Sequence, residues 1–179
     1  MKIETVKNDS KILIGEYPFH DKLREELLPL LESFRGGIGP TNVEATHTEW
    51  DWMPDNPKIQ MLKKYLCNEA YNNLFPPGLV NQDIKYQIIC YNFWGNIYHK
   101  GDYAKSHHHL PDAFYSFAYF LKSEWYHPPL ILNDSGKRIR PKEGRYIIFP
   151  AYLMHSVPKH RFNKTRITIS GNIKSEEVK

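Results

Sequence analysis

The sequence predicts a mainly β domain with helices at its N-terminal end, an antiparallel β-sandwich or jelly roll on which those helices pack. Three observations carry this. Two stretches of helical periodicity precede Pro76. Everything after Asp83 reads as short β-rich segments separated by turn signals. Aromatic residues, 14% of the chain, concentrate between Tyr86 and Phe149, where strands and pocket walls use them.

A chain of 179 residues is most simply one domain, with 1–83 supplying an N-terminal strand and supporting helices and 84–175 the β core. Neither an internal repeat nor a low-complexity linker divides it. The net charge of +4 is spread along the chain without a Lys/Arg run, which argues against a nucleic-acid partner. Cys67 and Cys90 lack partners at metal-finger spacing and suit a reduced intracellular protein. Met1–Thr5 has no apolar leader, and no window approaches the ~20 apolar residues of a membrane span, so the expected location is the cytoplasm. Oligomeric state leaves no signature.

In chain order, Lys11–Tyr17 alternates as an edge strand would. Leu23, Leu27, Leu28, Leu30, Leu31 and Phe34 form the stripe of an amphipathic helix, with Asp21 as N-cap, a kink or division at Pro29, and Gly36-Gly37 as its end. Pro40–Asp55 is loop-like; Trp50 and Trp52 within it either line a substrate entrance or, as is commoner, cover the core. A second helix starts near Pro57, carries Ile59, Leu62, Tyr65, Leu66, Ala70 and Leu74, and stops at Pro76-Pro77-Gly78. Strands follow at Ile84–Tyr98 (with a break at Gly95), Tyr115–Lys122, Pro129–Asn133, Arg138–Arg140, Arg145–Phe149, Met154–Val157 and Thr165–Ile173. Asn133-Asp134-Ser135-Gly136 and Lys142-Glu143-Gly144 supply turns between them.

The chemistry centres on His107-His108-His109. On an extended chain, side chains alternate with period two, so His107 and His109 share one face and His108 takes the other. That is the least geometry needed to grip one metal from a single strand. His155, in a later β-like stretch, supplies a third imidazole. A facial set of three protein ligands leaves positions open for oxygen and an organic ligand, as in non-haem iron oxygenases. His20, His47, His99, His127 and His160 read as surface or hydrogen-bonding residues.

Downstream, Arg166 alternates with Thr168 and Ser170 on one face of an apolar run whose other face carries Ile167 and Ile169. A buried guanidinium needs a partner. A small dicarboxylate satisfies it bidentately, with the neighbouring hydroxyls completing the set; an internal Asp or Glu satisfies it equally well.

These motifs together resemble the 2-oxoglutarate/Fe(II)-dependent oxygenase superfamily, and within it a group of bacterial and phage oxygenases distantly related to prolyl 4-hydroxylases. The resemblance runs from Trp94 to Asn172, a little under half the chain. It rests on Trp94-Gly95-Asn96, Lys100-Gly101-Asp102-Tyr103, His107-His108-His109 and Tyr115-Ser116 with Tyr119-Phe120-Leu121. Gly144 with Ile148-Phe149-Pro150, Met154-His155-Ser156-Val157 and Arg166–Asn172 complete it. It implies a double-stranded β-helix (jelly-roll) catalytic core over 84–175, His107 as first metal ligand and His155 as the distal one. It also implies Arg166 on the distal carboxylate of 2-oxoglutarate, with Thr168 beside it and Tyr119 as a further co-substrate residue. The superfamily's usual motif is His-x-Asp/Glu, and here His109 stands where the carboxylate is expected. The group most resembled shares His-x-His, which makes His109 the third ligand. Asp112 is the alternative, though it lies beyond Pro111 and out of strand register with His107. A neutral imidazole in place of a carboxylate leaves Fe(II) more electrophilic.

The leading expectation is therefore an Fe(II)-, 2-oxoglutarate- and O2-dependent hydroxylase that releases succinate and CO2 and acts on an organic or peptidyl C–H. Asn92, Trp94, Asn96 and Tyr115 are its candidate pocket residues. Strand alternation puts Tyr91 on the face opposite Asn92. Two rivals stand beside it. A three-histidine zinc hydrolase or lyase leaves Arg166 unexplained, and a non-enzymatic jelly-roll binding module leaves the histidines unexplained as well.

Overall fold

The structure is a computed structural model that describes residues 1–37, 41–75 and 86–177. In chain order its strands are β1 (Lys2–Thr5), β2 (Lys11–Glu16), β3 (Val43–Glu44), β4 (Thr46–His47), β5 (Tyr86–Tyr98) and β6 (Tyr103–His107). They continue with β7 (Tyr115–Lys122), β8 (Leu130–Leu132), β9 (Lys137–Ile139), β10 (Arg145–Pro150), β11 (His155–Val157) and β12 (Arg166–Glu177). Two helices, α1 (His20–Ser33) and α2 (Pro57–Asn73), fall between β2 and β5.

The strands form two sheets, ordered β1-β2-β10-β7-β12-β5-β4 and β3-β6-β11-β8-β9, antiparallel throughout. This is the expected jelly-roll sandwich. Period-two alternation decides what each central strand shows to each side. On β7, Phe117, Tyr119 and Leu121 join Leu23, Leu27 and Leu31 of α1 and Ile59, Leu62 and Leu66 of α2 in one core. Ala118 and Phe120 instead join Leu130, Leu132 and Ile139 of the smaller sheet. On β12, Ile167, Ile169 and Ile173 point to the helices, which sends Arg166, Thr168 and Ser170 between the sheets. The larger sheet is thus covered on both faces, and its middle strands read as nearly continuous apolar runs.

Several expectations need correction. Strand β2 is not an edge: β1, which the sequence pattern did not mark, pairs along its open side and β10 along the other. Helix α1 passes through Pro29 undivided. Pro29 is solvent-exposed while Leu27 and Leu31 are buried on either side of it, so the carbonyl whose hydrogen bond it removes faces water and packing holds the axis. The N-cap is Phe19, without a side-chain hydrogen bond, and Asp21 lies in the first turn, where its charge still complements the helix dipole. The helix ends at Ser33, before the glycine pair. Gly37, at φ +117°, permits a close backbone approach, since a Cβ there would lie 1.7 Å from the His47 carbonyl oxygen. Nor does Gly95 break β5: it pairs with Ile169, and a Cβ would come within 2.7 Å of Leu31 Cδ2. Its role is to let α1 close on the sheet.

Helix α2 starts as its sequence predicts. Pro57 occupies the first turn, and the Asn56 side chain accepts from the Lys58 and Ile59 amides at 3.0 and 3.1 Å. The stop at Pro76-Pro77-Gly78 and the strand start at Ile84 lie outside the described residues. The loop-like stretch before Asp55 contains β3 and β4, two residues each and too short to show a period. Among the described residues, no helix is long and apolar enough to cross a membrane.

Candidate metal centre

Strands β6 and β11 pair so that His107 and His155 are direct partners. His109 lies two residues past His107, beyond the end of β6, held by its backbone amide, which donates to the Ala151 carbonyl at 2.8 Å. The ring centroids stand 4.3 Å apart for His107 and His155, 5.1 Å for His109 and His155, and 5.2 Å for His107 and His109. One nitrogen from each ring falls within 4.8 Å of the others, and among the described residues this is the only such convergence of metal-type donors.

The second nitrogens fix the chemistry. His107 Nδ1 lies 2.7 Å from the Lys105 carbonyl oxygen and His155 Nδ1 lies 3.0 Å from that of Leu153. A carbonyl only accepts, so both Nδ1 atoms carry the proton and both Nε2 atoms keep a free lone pair. Backbone carbonyls thus set tautomer and ring orientation, as such partners do for metal-bound imidazoles. His109 Nε2 lies 3.3 Å from His155 Nε2, close to the roughly 3 Å that two nitrogens at right angles on one metal require for metal–nitrogen bonds of about 2.1 Å. Burial pushes the basicity of all three down, aided by the charge of neighbouring imidazoles: His109 to about 4, His155 well below its ordinary range, and His107 below its ordinary value. All three are neutral at pH 7, the form that ligates. His108 is exposed and its Nδ1 accepts from the Leu110 amide.

Arg166 closes the same pocket. It is 1% exposed, with its guanidinium 4.8 Å from the centre of the Tyr98 ring and 5.3 Å from that of Phe120. Its Nε and Nη1 have no hydrogen-bond partner, and it takes part in none of the ion pairs among the described residues. The internal salt bridge that the sequence left open is therefore absent among the described residues. Thr168 is buried beside it. Asn96 Nδ2 donates to Ser170 Oγ at 3.2 Å and to Thr168 Oγ1 at 3.5 Å, while Asn96 Oδ1 stays unpartnered.

The predicted pocket residues divide. Trp94 and Asn96 line the inner pocket with the histidines, Arg166 and Thr168. Asn92 lines an adjoining outer cleft of about 340 Å³, shared with Trp50, Tyr91, Asp112 and Asn172. His109 borders both spaces. Tyr91 faces this cleft instead of the opposite side because β5 bulges there. Asn92 pairs with Asn172 and Cys90 with Ile173, leaving Tyr91 as the extra residue. Tyr115 and Tyr119 are misplaced as site residues. Both occupy helix-facing positions of β7, where the Tyr115 hydroxyl donates to the Leu74 carbonyl at 2.8 Å and the Tyr119 hydroxyl lies 2.5 Å from His20 Nδ1. Asp112 is exposed in the outer cleft, outside the convergent donor set.

Other residues carry weight that the sequence did not announce. Tyr98 and Phe120 grip Arg166. His47, His127 and His160 are buried, not at the surface, although each uses a ring nitrogen in a backbone hydrogen bond. The two tryptophans part company: Trp52 joins the core, whereas Trp50 stands half out of the cleft, its ring centre 4.6 Å from that of Trp94 in an edge-on contact. A groove of about 710 Å³ between β1, β2, β9, β10 and α2 is lined by no histidine or cysteine among the described residues. Size does not locate the chemistry here; donor convergence does.

Residues 131–172, which include His155, Arg166 and Thr168, match a family described as "Putative 2OG-Fe(II) oxygenase". A comparison with curated protein sequences found no match. Among solved structures, the chain is similar to the viral collagen prolyl hydroxylase of Paramecium bursaria Chlorella virus-1 in complex with 2OG. That likeness has a TM-score of 0.68 and 15% identity, over 90% of this chain and 94% of that one. It is similar as well to a Pseudomonas putida prolyl-4-hydroxylase (TM-score 0.65, 12% identity, 91% of each chain). A Trichoplax adhaerens prolyl hydroxylase in complex with a hypoxia inducible factor peptide gives TM-score 0.62 and 15% identity, over 90% of this chain and 82% of that one. At these identities the structures speak for the fold, and the motif match adds the sequence signature of residues 131–172. The match is thus to an oxygenase family over residues 131–172, and the likeness to the solved structures is one of fold.

Proposed function

We propose that this chain is an Fe(II)- and 2-oxoglutarate-dependent hydroxylase acting on an organic or peptidyl C–H bond in the cytoplasm. The observation that carries the reading is Arg166: a buried guanidinium with free donors, in one pocket with three neutral imidazoles and, among the described residues, no lining Asp or Glu. His107, His109 and His155 hold the metal through nitrogens that their backbone partners or their burial keep unprotonated. Arg166 takes the distal carboxylate of 2-oxoglutarate as a planar fork, with the Thr168 hydroxyl beside it. Tyr98 and Phe120 hold the guanidinium in place, so little freedom is lost when the acid binds. Fe(II), when bound with 2-oxoglutarate and O2, supplies the oxidising chemistry that hydroxylates the substrate while the keto acid leaves as succinate and CO2. Trp94, Phe149 and the neighbouring apolar wall exclude water from that chemistry. Substrate approaches through the outer cleft, where His109 forms the common boundary, and Asn92, Asn172 and Trp50 supply amide groups and an aromatic wall. A peptide is supported by the fold shared with prolyl hydroxylases, one of them seen with a peptide. Anaerobic loading with Fe(II), followed by admission of O2 and assay of succinate, tests the reading. Protein that holds Fe(II) yet neither binds nor consumes the keto acid sinks it.

A further inference from the structure

A second concave site lies away from the histidines. The groove of about 710 Å³ is lined by β1 and β9, the outer strands of the two sheets, and by β2, β10 and α2. It shares no lining residue with the metal pocket or the outer cleft. Glu4 of β1 ties the two sheets together here, pairing with Lys2 and with Lys137 of β9, and both lysines hold its carboxyl below the ordinary value. Gly15 and Tyr146 are register partners, and a Cβ at Gly15 would collide with the Tyr146 ring. The glycine thus lets that ring lie across the groove, where its hydroxyl donates to Glu69 Oε2 at 2.8 Å.

The lining carries five cations against three carboxylates, and each carboxylate is already committed. Glu4 serves the two lysines, Glu16 pairs with Lys142, and Glu69 takes the Tyr146 hydroxyl. Glu143, the acid closest in sequence to the lining arginines, turns instead to Arg24 at 3.5 Å and to the Ser123 amide at 3.2 Å. Arg138, Arg140 and Arg145 enter none of the ion pairs among the described residues. Arg145 Nη1 donates to the Arg140 carbonyl at 2.8 Å, which anchors that guanidinium beside the other two. Three such cations on one concave wall repel one another, and the concavity concentrates their field.

We propose that this groove binds a small polyanion with two or more phosphate or carboxylate groups, held by Arg138, Arg140 and Arg145. Guanidinium forks match either oxyanion bidentately, and one bound anion relieves the repulsion among all three. The groove's volume falls within the roughly 300–1,000 Å³ typical of small-molecule sites. Tyr65, Ile14 and Ile139 supply an apolar wall for the uncharged part of the ligand. The site is independent of the metal-centre reading and stands or falls without it.

Calorimetry on the full chain tests this with tripolyphosphate and citrate as probes, one for each oxyanion. At low salt at least one is expected to bind at about 10 μM, and the tighter of the two names the acid group. Arg138→Ala combined with Arg140→Ala is expected to weaken that binding about 10-fold or more. Both arginines are exposed, so their removal leaves the core intact. Lys159→Ala combined with Arg161→Ala takes the same charge from an exposed loop outside the groove, and should change the affinity less than about 2-fold. Arg166→Met should leave it unchanged. Binding of neither probe below about 1 mM overturns the proposal. So does an equal loss in the two double variants, which would make the binding a general charge effect. A loss in Arg166→Met assigns the anion to the metal pocket and overturns it too. A single-stranded oligonucleotide that binds more tightly than either probe, with the same dependence on Arg138 and Arg140, replaces the small ligand by nucleic acid and also overturns it.

Discussion

Arg166 and Tyr98 are register partners across β12 and β5, and the guanidinium lies 4.8 Å from the centre of the Tyr98 ring. The strand pairing that builds the larger sheet therefore also aims the cation between the sheets. It does so at a cost to the fold, because two of the guanidinium nitrogens are buried without acceptors. Arg166→Met should relieve that cost and stabilise the ligand-free protein by about 1–2 kcal/mol, while keto-acid binding is lost. Thermal unfolding and calorimetry with N-oxalylglycine check the two halves. Unchanged acid affinity in this variant would contradict the assigned role.

Tyr119 provides the converse case. Its hydroxyl serves His20 on the helix side of the sheet. Tyr119→Phe should cost about 1 kcal/mol of stability and leave N-oxalylglycine affinity unchanged. A loss of acid binding would return Tyr119 to the site.

The two tryptophans, two residues apart, should respond in opposite ways. Trp52→Ala empties a core position and is expected to destabilise by about 3–5 kcal/mol. Trp50→Ala removes an exposed wall of the outer cleft, so stability should hold while KM for the organic substrate rises and succinate formation without substrate is unaffected. Denaturant midpoints and steady-state kinetics separate the pair.

Acid should weaken the metal-free protein. Burial, helped by neighbouring positive groups, pushes His109 and His127 to about 4 and His155 well below its ordinary value. In the unfolded chain the same imidazoles protonate near 6.5. Between those limits the unfolded state binds more protons, so stability falls as pH drops below about 6.5 and levels off once the folded state also protonates, near 4 for His109 and His127. Each such imidazole contributes a slope of about 1.4 kcal/mol per pH unit inside that window. Urea midpoints between pH 7 and pH 4 measure it, and a flat profile would show that these rings are not held neutral.

The fold was largely legible because the β segments after Asp83 and the helical stripes obey simple periods. Strand β7 falls at Tyr115–Lys122 in sequence and structure alike. What escaped depended on partners distant in sequence. Pro29 looked like a break because its neighbours on the sheet were unseen, and β2 looked like an edge because Lys2–Thr5 carries too short an alternation to register. The centre divides in the same way. The shared face of His107 and His109 was readable from spacing, and the inward placement of Arg166 from its alternation with Ile167 and Ile169. Tyr91 was misread because a bulge inverts the period, a feature invisible before pairing is known. Tyr115 and Tyr119 were misplaced although the period was available: with Phe117 and Leu121 they occupy the helix-facing positions of β7, and the family motif outweighed that signal.

The central claim is that three imidazoles hold a metal opposite a guanidinium that waits for a dicarboxylate. A crystal structure with Mn(II) and N-oxalylglycine tests it most directly. Mn(II) is expected to be bonded to a ring nitrogen of each of His107, His109 and His155, with the distal carboxylate of the ligand forked onto Arg166. Mn(II) bound by Asp112 in place of His109, or a ligand bound without touching Arg166, would contradict it.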